Sequence, residues 1–136
     1  MKNLKKNINF KKLKKFNNSK GNVLMCYKEK ILDQKINIKE IYFTEIKYNK
    51  IKGWIKHNKI SCNLIVPMGK VKFLFLSKKN KKKEIIIGER NYQKIYIPPN
   101  TWFAFKGLSK PKSLVVNYSD KINNNKDVVR KELKNS

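Results

Sequence analysis

Over most of the chain, apolar positions either alternate with polar ones or run together in short stretches, and the apolar members are chiefly Ile, Val, Phe and Tyr. A side-chain period of two, carried by β-branched and aromatic residues, is the mark of strands. The stretches span 23–27, 36–46, 53–59, 61–66, 70–76, 84–87, 94–97, 102–106 and 114–118, separated by Gly, Pro, Asn or lysine clusters. Nothing before residue 120 sustains a helical period. The spacing predicts an all-β sandwich or barrel. Val66-Pro67-Met68-Gly69 predicts a type I turn joining two strands as a hairpin. Residues 77–84, SKKNKKKE, read as a solvated loop, because like charges repel and resist burial. In the tail a short helix is expected from Lys126, with Asp127 favourable near its N-terminus, among Asn-rich flanks that argue for partial disorder.

Residues 95–105, IYIPPNTWFAF, are more specific. A strand ends at Pro98, Pro99 and Asn100 fix a turn, and a new strand opens with an aromatic cluster. Alternation puts Phe103 and Phe105 on one face, Trp102 and Ala104 on the other.

At 136 residues and 40% hydrophobic content, the chain supports one core and so a single domain over 1–136, its centre about 21–120. No apolar run is long enough to span a bilayer, and lysines fill the N-terminal region where a signal peptide needs an apolar stretch, which predicts a cytoplasmic protein without membrane contact. Cys26 and Cys62 have neither CxxC spacing nor a second histidine nearby; they read as reduced thiols rather than zinc ligands. A metal-dependent site built from three histidines and a carboxylate is excluded by the single histidine, His57.

The net charge of +25 raises the question of nucleic acid. The excess is nearly all lysine and travels with Asn and Ile, residues that share A/T-rich codons, whereas a dedicated nucleic-acid binder favours arginine. A basic nucleic-acid-binding β-barrel is therefore the least favoured reading. The charge suits a smaller anion such as a nucleotide diphosphate.

Several motifs, taken together and in order, resemble the dTDP-4-dehydrorhamnose 3,5-epimerase family and the related sugar 3,4-ketoisomerases. They are EIYFTEIKYNKIKGW, the KGWIKH strand that begins at Lys52-Gly53, the turn through Gly69 into VKFLFL, and IPPNTWFAF. The resemblance covers about 41–120. It implies a metal-free cupin jelly roll, usually a homodimer, that acts without a redox cofactor on a nucleotide-linked 4-keto-6-deoxy sugar in cell-surface polysaccharide biosynthesis. The ketone acidifies the C3 and C5 protons, so the chemistry calls for a neutral histidine base, a tyrosine acid and groups that stabilise an enolate.

The epimerases' Arg-Gly-x-His pattern, laid on Lys52-Gly53-Trp54, puts Ile55 where their base stands. His57 is two residues on and on the same strand face. The ketoisomerases' Gly-x-His-x-His pattern puts its second histidine on His57 directly. The epimerases' tyrosine, counted back from Ser119-Asp120, falls on Val116, with Tyr118 two residues later. On this basis His57 is the expected base and Tyr118 the expected acid. Lys52, Trp54, Lys56, Lys59, Lys72, Arg90, Trp102 and Tyr42 are the expected substrate-binding residues, and no counterpart of the carboxylate that orients the family's base is evident. Epimerisation at C3 or C5 is the leading expectation; 3,4-ketoisomerisation and non-catalytic sugar-nucleotide binding are its alternatives.

Overall fold

The structure, a computed structural model, describes residues 7–28, 37–77 and 79–132. The described strands are β1 (Asn9–Lys12), β2 (Lys15–Phe16), β3 (Val23–Leu24), β4 (Glu40–Lys47), β5 (Ile51–His57), β6 (Cys62–Met68), β7 (Lys70–Leu76), β8 (Lys82–Gly88), β9 (Gln93–Ile97), β10 (Phe103–Gly107), β11 (Lys112–Ser119) and β12 (Val128–Arg130). They form two five-stranded sheets, ordered β1-β9-β6-β11-β4 and β12-β5-β10-β7-β8, and a β2-β3 ribbon. Pairing between these strands is antiparallel throughout.

The inner faces of the two sheets meet in one core, where Val66, Val71, Phe73, Ile87 and Ile95 are fully buried. Each such side chain withdrawn from water contributes about 1.5–3 kcal/mol, which makes this layer the main source of cohesion. The predicted alternation in 102–105 holds. Phe103 and Phe105 join this core, while Trp102 and Ala104 belong to a separate cluster with Trp54 and Leu74. The first sheet is covered on its other face by the N-terminal segment, whose Leu13, Leu24, Cys26 and Tyr27 pack on Ile65, Val116 and Tyr118.

Four expectations are corrected. The turn at Gly69 closes no hairpin, because β6 and β7 lie in different sheets. It is a corner: Gly69 has φ +87°, and a Cβ there would meet Ser113 Oγ at 2.3 Å, so β11 packs directly against the bend. The tail forms no α-helix among the described residues. A 3-10 turn, Asn125–Asp127, leads into β12, whose adjacent valines favour extended backbone and pair with β5. The lysine-rich loop is shorter than expected because β8 begins at Lys82; β8 is an edge strand, so Lys82, Lys83 and Glu84 stay in water while their backbone pairs with β7. The strand expected over 36–46 begins at Glu40, and residue 36 lies outside the described residues.

Candidate active site

His57 is the last residue of β5, and a β-bulge within that strand contributes to its aim. Ile55 pairs with Phe103 and Lys52 with Phe105, so Gly53 and Trp54 together oppose Ala104. Only glycine fits the crossing point: Gly53 has φ +130°, and a Cβ would sit 2.5 Å from Ala104 Cβ. Beyond the bulge Trp54 faces outward with Ala104, while Ile55 packs on the core and His57 lies against Phe103, ring centroids 6.4 Å apart.

The imidazole is 7% exposed, and its Nδ1 has no hydrogen-bond partner. Asp127 Oδ2 stands 3.9 Å from Nδ1, too far for a hydrogen bond. That carboxylate is held by the backbone: Oδ1 accepts from Lys59 N at 2.8 Å and Oδ2 from Ile60 N at 3.2 Å. Burial lowers the His57 pKa below its usual 6.5, Asp127 works against that shift, and Arg130 adds to it. The net direction keeps the imidazole neutral near pH 7 and available as a base. Sequence reasoning found no carboxylate for this role, because Asp127 lies 70 positions from His57 and read as a helix-start residue; the pairing of β12 with β5 brings it there.

A line of polar groups continues across the core. Burial pushes the Cys62 thiol up to about 11, a hydrogen bond with Asn117 opposes that, and the Asp127 carboxylate reinforces it. Asn117 accepts from Asn63 N at 3.1 Å and donates to the Tyr42 hydroxyl at 2.8 Å. Tyr42 is raised by burial first, then by Cys62 and Glu40, against the Asn117 hydrogen bond. The group thus crosses from β5 in one sheet to β4 in the other.

Tyr118 is not part of it. The residue is 2% exposed and packs on the opposite face of the first sheet, edge-on to Tyr27 at 5.5 Å. Val116 and Tyr118 do share a face, as alternation requires, but that face lies under the N-terminal segment and away from the core that holds His57.

The remaining expected residues are dispersed. Lys52 donates to Glu45 O at 2.8 Å. Trp54 is buried in the outer cluster of the second sheet, and Lys56 lies over Trp102. Lys59 is exposed beside Asp127. Lys72 pairs with Lys106 and Ile86, on the outward side of β7. Arg90 is exposed in the turn after β8, at the far end of the sandwich from His57. A cavity of about 1050 Å³ opens at the His57 end, lined by Phe10, Phe75, Ser77, Lys83, Asn100 and Trp102 among others. Its Pro98–Asn100 turn is tied to the end of β5 by the Asn100 N–H, which donates to His57 O at 2.7 Å. Among the described residues, no cluster of His, Cys, Asp and Glu could hold a metal ion.

The family described as FdtA, WxcM-like C-terminal, matches residues 6–134. The chain belongs to that family. No curated protein matches it. Solved structures show the same cupin-like fold as this FdtA-family chain. A dTDP sugar isomerase from Desulfovibrio desulfuricans G20 superposes with TM-score 0.85 at 22% identity, over 93% of this chain and 85% of that one. QdtA, a sugar 3,4-ketoisomerase from Thermoanaerobacterium thermosaccharolyticum in complex with TDP, gives 0.75 at 22% identity, over 93% and 89%. The dTDP-4-dehydrorhamnose 3,5-epimerase from Bacillus anthracis, with TDP and PPi bound, gives 0.76 at 16% identity, over 90% and 77%. No described helix is long and apolar enough to cross a membrane.

Proposed function

We propose that the protein is a nucleotide-sugar 3,4-ketoisomerase acting on a 4-keto-6-deoxy hexose linked to a thymidine diphosphate or a similar nucleotide. The observation that carries this is the interior placement of His57, neutral and backed by Asp127, while Tyr118 lies on the far side of a sheet. Support for the substrate class comes from the similar folds, one of which is a QdtA variant in complex with TDP-4-keto-6-deoxyglucose.

In this reading the His57 imidazole takes the C3 proton. The C3–H bond breaks, its electrons form a C3–C4 double bond, and the C4 carbonyl oxygen becomes an enolate oxygen. The imidazolium returns the proton to C4 on the same ring face, while the O3 proton passes to O4 and leaves a ketone at C3. Nothing is oxidised or reduced overall. Asp127 stabilises the imidazolium that forms transiently, as a carboxylate near a histidine base does. One proton carrier on one face suffices for this shift. Epimerisation, the leading expectation from sequence, inverts a centre and so needs an acid across the ring from the base. Tyr118 is not placed to supply it.

The test is proton NMR with TDP-4-keto-6-deoxyglucose in deuterated buffer. A 3-keto product should appear, with any deuterium exchange confined to C3 and C4. Exchange at C5 would replace this reading with epimerisation, and saturable binding without exchange or product would leave a binding protein.

A further inference from the structure

The outward face of the second sheet, away from His57, has no part in the proton chemistry. Both tryptophans of the chain belong to it, Trp54 and Trp102, in a cluster with Ala104, Leu74, Leu76 and Ile51. These residues lie in β5, β7 and β10 or, for Trp102, just before β10, so among the described residues no apolar side chain of another element packs on this face. The first sheet differs, because the N-terminal segment covers it. Trp54 and Leu74 are nevertheless only 4% and 8% exposed. Lysine stems shield apolar surface in this way while their ammoniums stay in water. Lys56 Nζ and Lys131 Nζ lie 5.2 and 4.5 Å from the centroid of the Trp102 ring.

Net charge by itself singles out no surface of a chain at +25. The strand register does. One row across the sheet reads Ile51, Lys106, Lys72, Ile86, from β5 through β10 and β7 to β8. Lys106 and Lys72 stand directly opposite one another, where like charges destabilise a sheet. The next row holds Ala104, Leu74 and Glu84 beside Trp54. Beyond it Leu76 pairs with Lys82, and Lys56 with Val129. An apolar middle thus lies between two cationic margins, with Ile86 and Val129 exposed at its edges and Glu84 the one acidic residue in these rows. The ion pairs among the described residues are His57 with Asp127 and Lys112 with Glu45, so the ammoniums of this face have no counter-charge.

Ammoniums spread along the margins of an open sheet suit an extended anionic surface rather than a compact anion. A nucleic acid strand on such a sheet stacks its bases on free aromatic rings. Here Trp54 is buried and the Trp102 ring already carries two ammoniums. Lysine also lacks the guanidinium fork that grips phosphates and reads bases. Lipid headgroups require neither: they attract ammoniums as point charges and admit indole and aliphatic groups between them. We propose that the outward face of the second sheet docks on an anionic lipid surface, with Lys56, Lys72, Lys106 and Lys131 among the headgroups and Trp102, Ile86 and Val129 at their boundary with the acyl chains. The sequence expectation of no membrane contact rested on the lack of a spanning stretch, and docking on a surface needs none. The proposal is independent of the ketoisomerase reading, because His57 lies on the other face of the sheet.

Sedimentation of the full chain with vesicles of phosphatidylglycerol and phosphatidylcholine in equal parts tests it, beside vesicles of phosphatidylcholine alone. The anionic vesicles should bind the protein and the neutral ones should not. Each lysine at an anionic surface is worth about fivefold in binding, so Lys72→Gln with Lys106→Gln should weaken it about tenfold or more. A pair of equal charge away from the face, Lys20→Gln with Lys110→Gln, should have a clearly smaller effect. Relief of the Lys72–Lys106 repulsion should leave the melting temperature equal or higher, which separates lost docking from lost folding. Because both tryptophans lie on this face, lipids with brominated acyl chains should quench the fluorescence of the bound protein. Equal weakening in the two double variants, or binding without quenching, overturns the proposal, since net charge alone then accounts for the affinity. Failure to bind the anionic vesicles overturns it as well. An oligothymidylate that binds more tightly than the vesicles and depends on Lys72 and Lys106 would overturn it in favour of nucleic acid.

Discussion

The two faces of the first sheet each carry a tyrosine near a cysteine. Inside, Tyr42 accepts a hydrogen bond from Asn117, which is also hydrogen-bonded to Cys62, and the Asp127 carboxylate is near enough to act on that thiol. Outside, Tyr118 lies under Tyr27, Leu24 and Cys26, with Lys94 6.0 Å above its ring. Burial is the first cause raising the pKa of all four groups. The difference lies in the neighbours. The inner pair continues through Asp127 toward a histidine that is neutral at pH 7, whereas the outer pair joins an aromatic and aliphatic cluster that fastens the N-terminal segment. Residue type therefore does not separate the polar group that reaches His57 from the packing group in this molecule; the face does.

The sharpest way to break that contrast is to remove one functional group from each side. His57→Asn should abolish the reaction, a loss of about 10²–10⁴-fold, the range for a positioned general base. Tyr118→Phe keeps the ring packed under Tyr27 and should leave turnover within about twofold, with stability altered by no more than about 1.5 kcal/mol. Turnover measured under saturating sugar nucleotide decides between them. If Tyr118→Phe is as damaging as His57→Asn, the outer face takes part in the chemistry and the division fails.

This contrast also separates what could be read in the sequence from what could not. Alternation and turn residues marked nine strands; β7 has the expected bounds, and the Phe103 and Trp102 faces were assigned by period alone. The same rule put Val116 and Tyr118 on one face, which is correct, but a period of two does not say which face is inward. Only the partner elements decide: the stretch 23–27 marked β3, but the two-residue β2 carries too little pattern to announce itself, and nothing in the sequence shows that this segment covers the first sheet. β12 escaped for a related reason. Three residues in a tail rich in Asn and Lys show no period, and its pairing with β5 is long-range, so Asp127 had no visible link to His57.

Asp127→Asn sharpens the inner side with a smaller effect. An amide oxygen can still accept from one of the two N–H groups of Lys59 and Ile60, but its other end is a donor facing a donor. The unsatisfied contact should cost about 1–3 kcal/mol, seen as a lower melting temperature. The carboxylate's upward pull on His57 also disappears, so the imidazole should titrate at lower pH than in the wild type. The chain has one histidine, so its imidazole resonances report that shift without assignment. A melting temperature and an imidazole titration that both stay put would show that Asp127 neither braces the loop after β5 nor acts on the base. Tyr118→Phe, on the outer face, should move neither the titration nor the Lys59–Ile60 loop.

The smallest effect is the pH dependence of stability. His57 binds its proton less readily when folded than when unfolded, because burial lowers its pKa from 6.5. Between the two values the unfolded chain holds more protons, so stability rises with pH. The contribution is complete above about 6.5 and is lost as pH falls through the lower folded value, at about 1.4 kcal/mol per unit of separation. Many carboxylates also act in acid, so the measurement is a difference. Melting curves of wild type and His57→Asn, taken from pH 7.5 down to 4.5, should diverge, with the wild type losing more stability than the variant. The same protonation removes the base, so turnover of the wild type should fall over the same acidic window. Tyr118→Phe should follow the wild-type stability curve throughout. Parallel curves for wild type and His57→Asn would mean that the histidine is not held neutral by its site, which would remove the physical reason for assigning the base to the inner face.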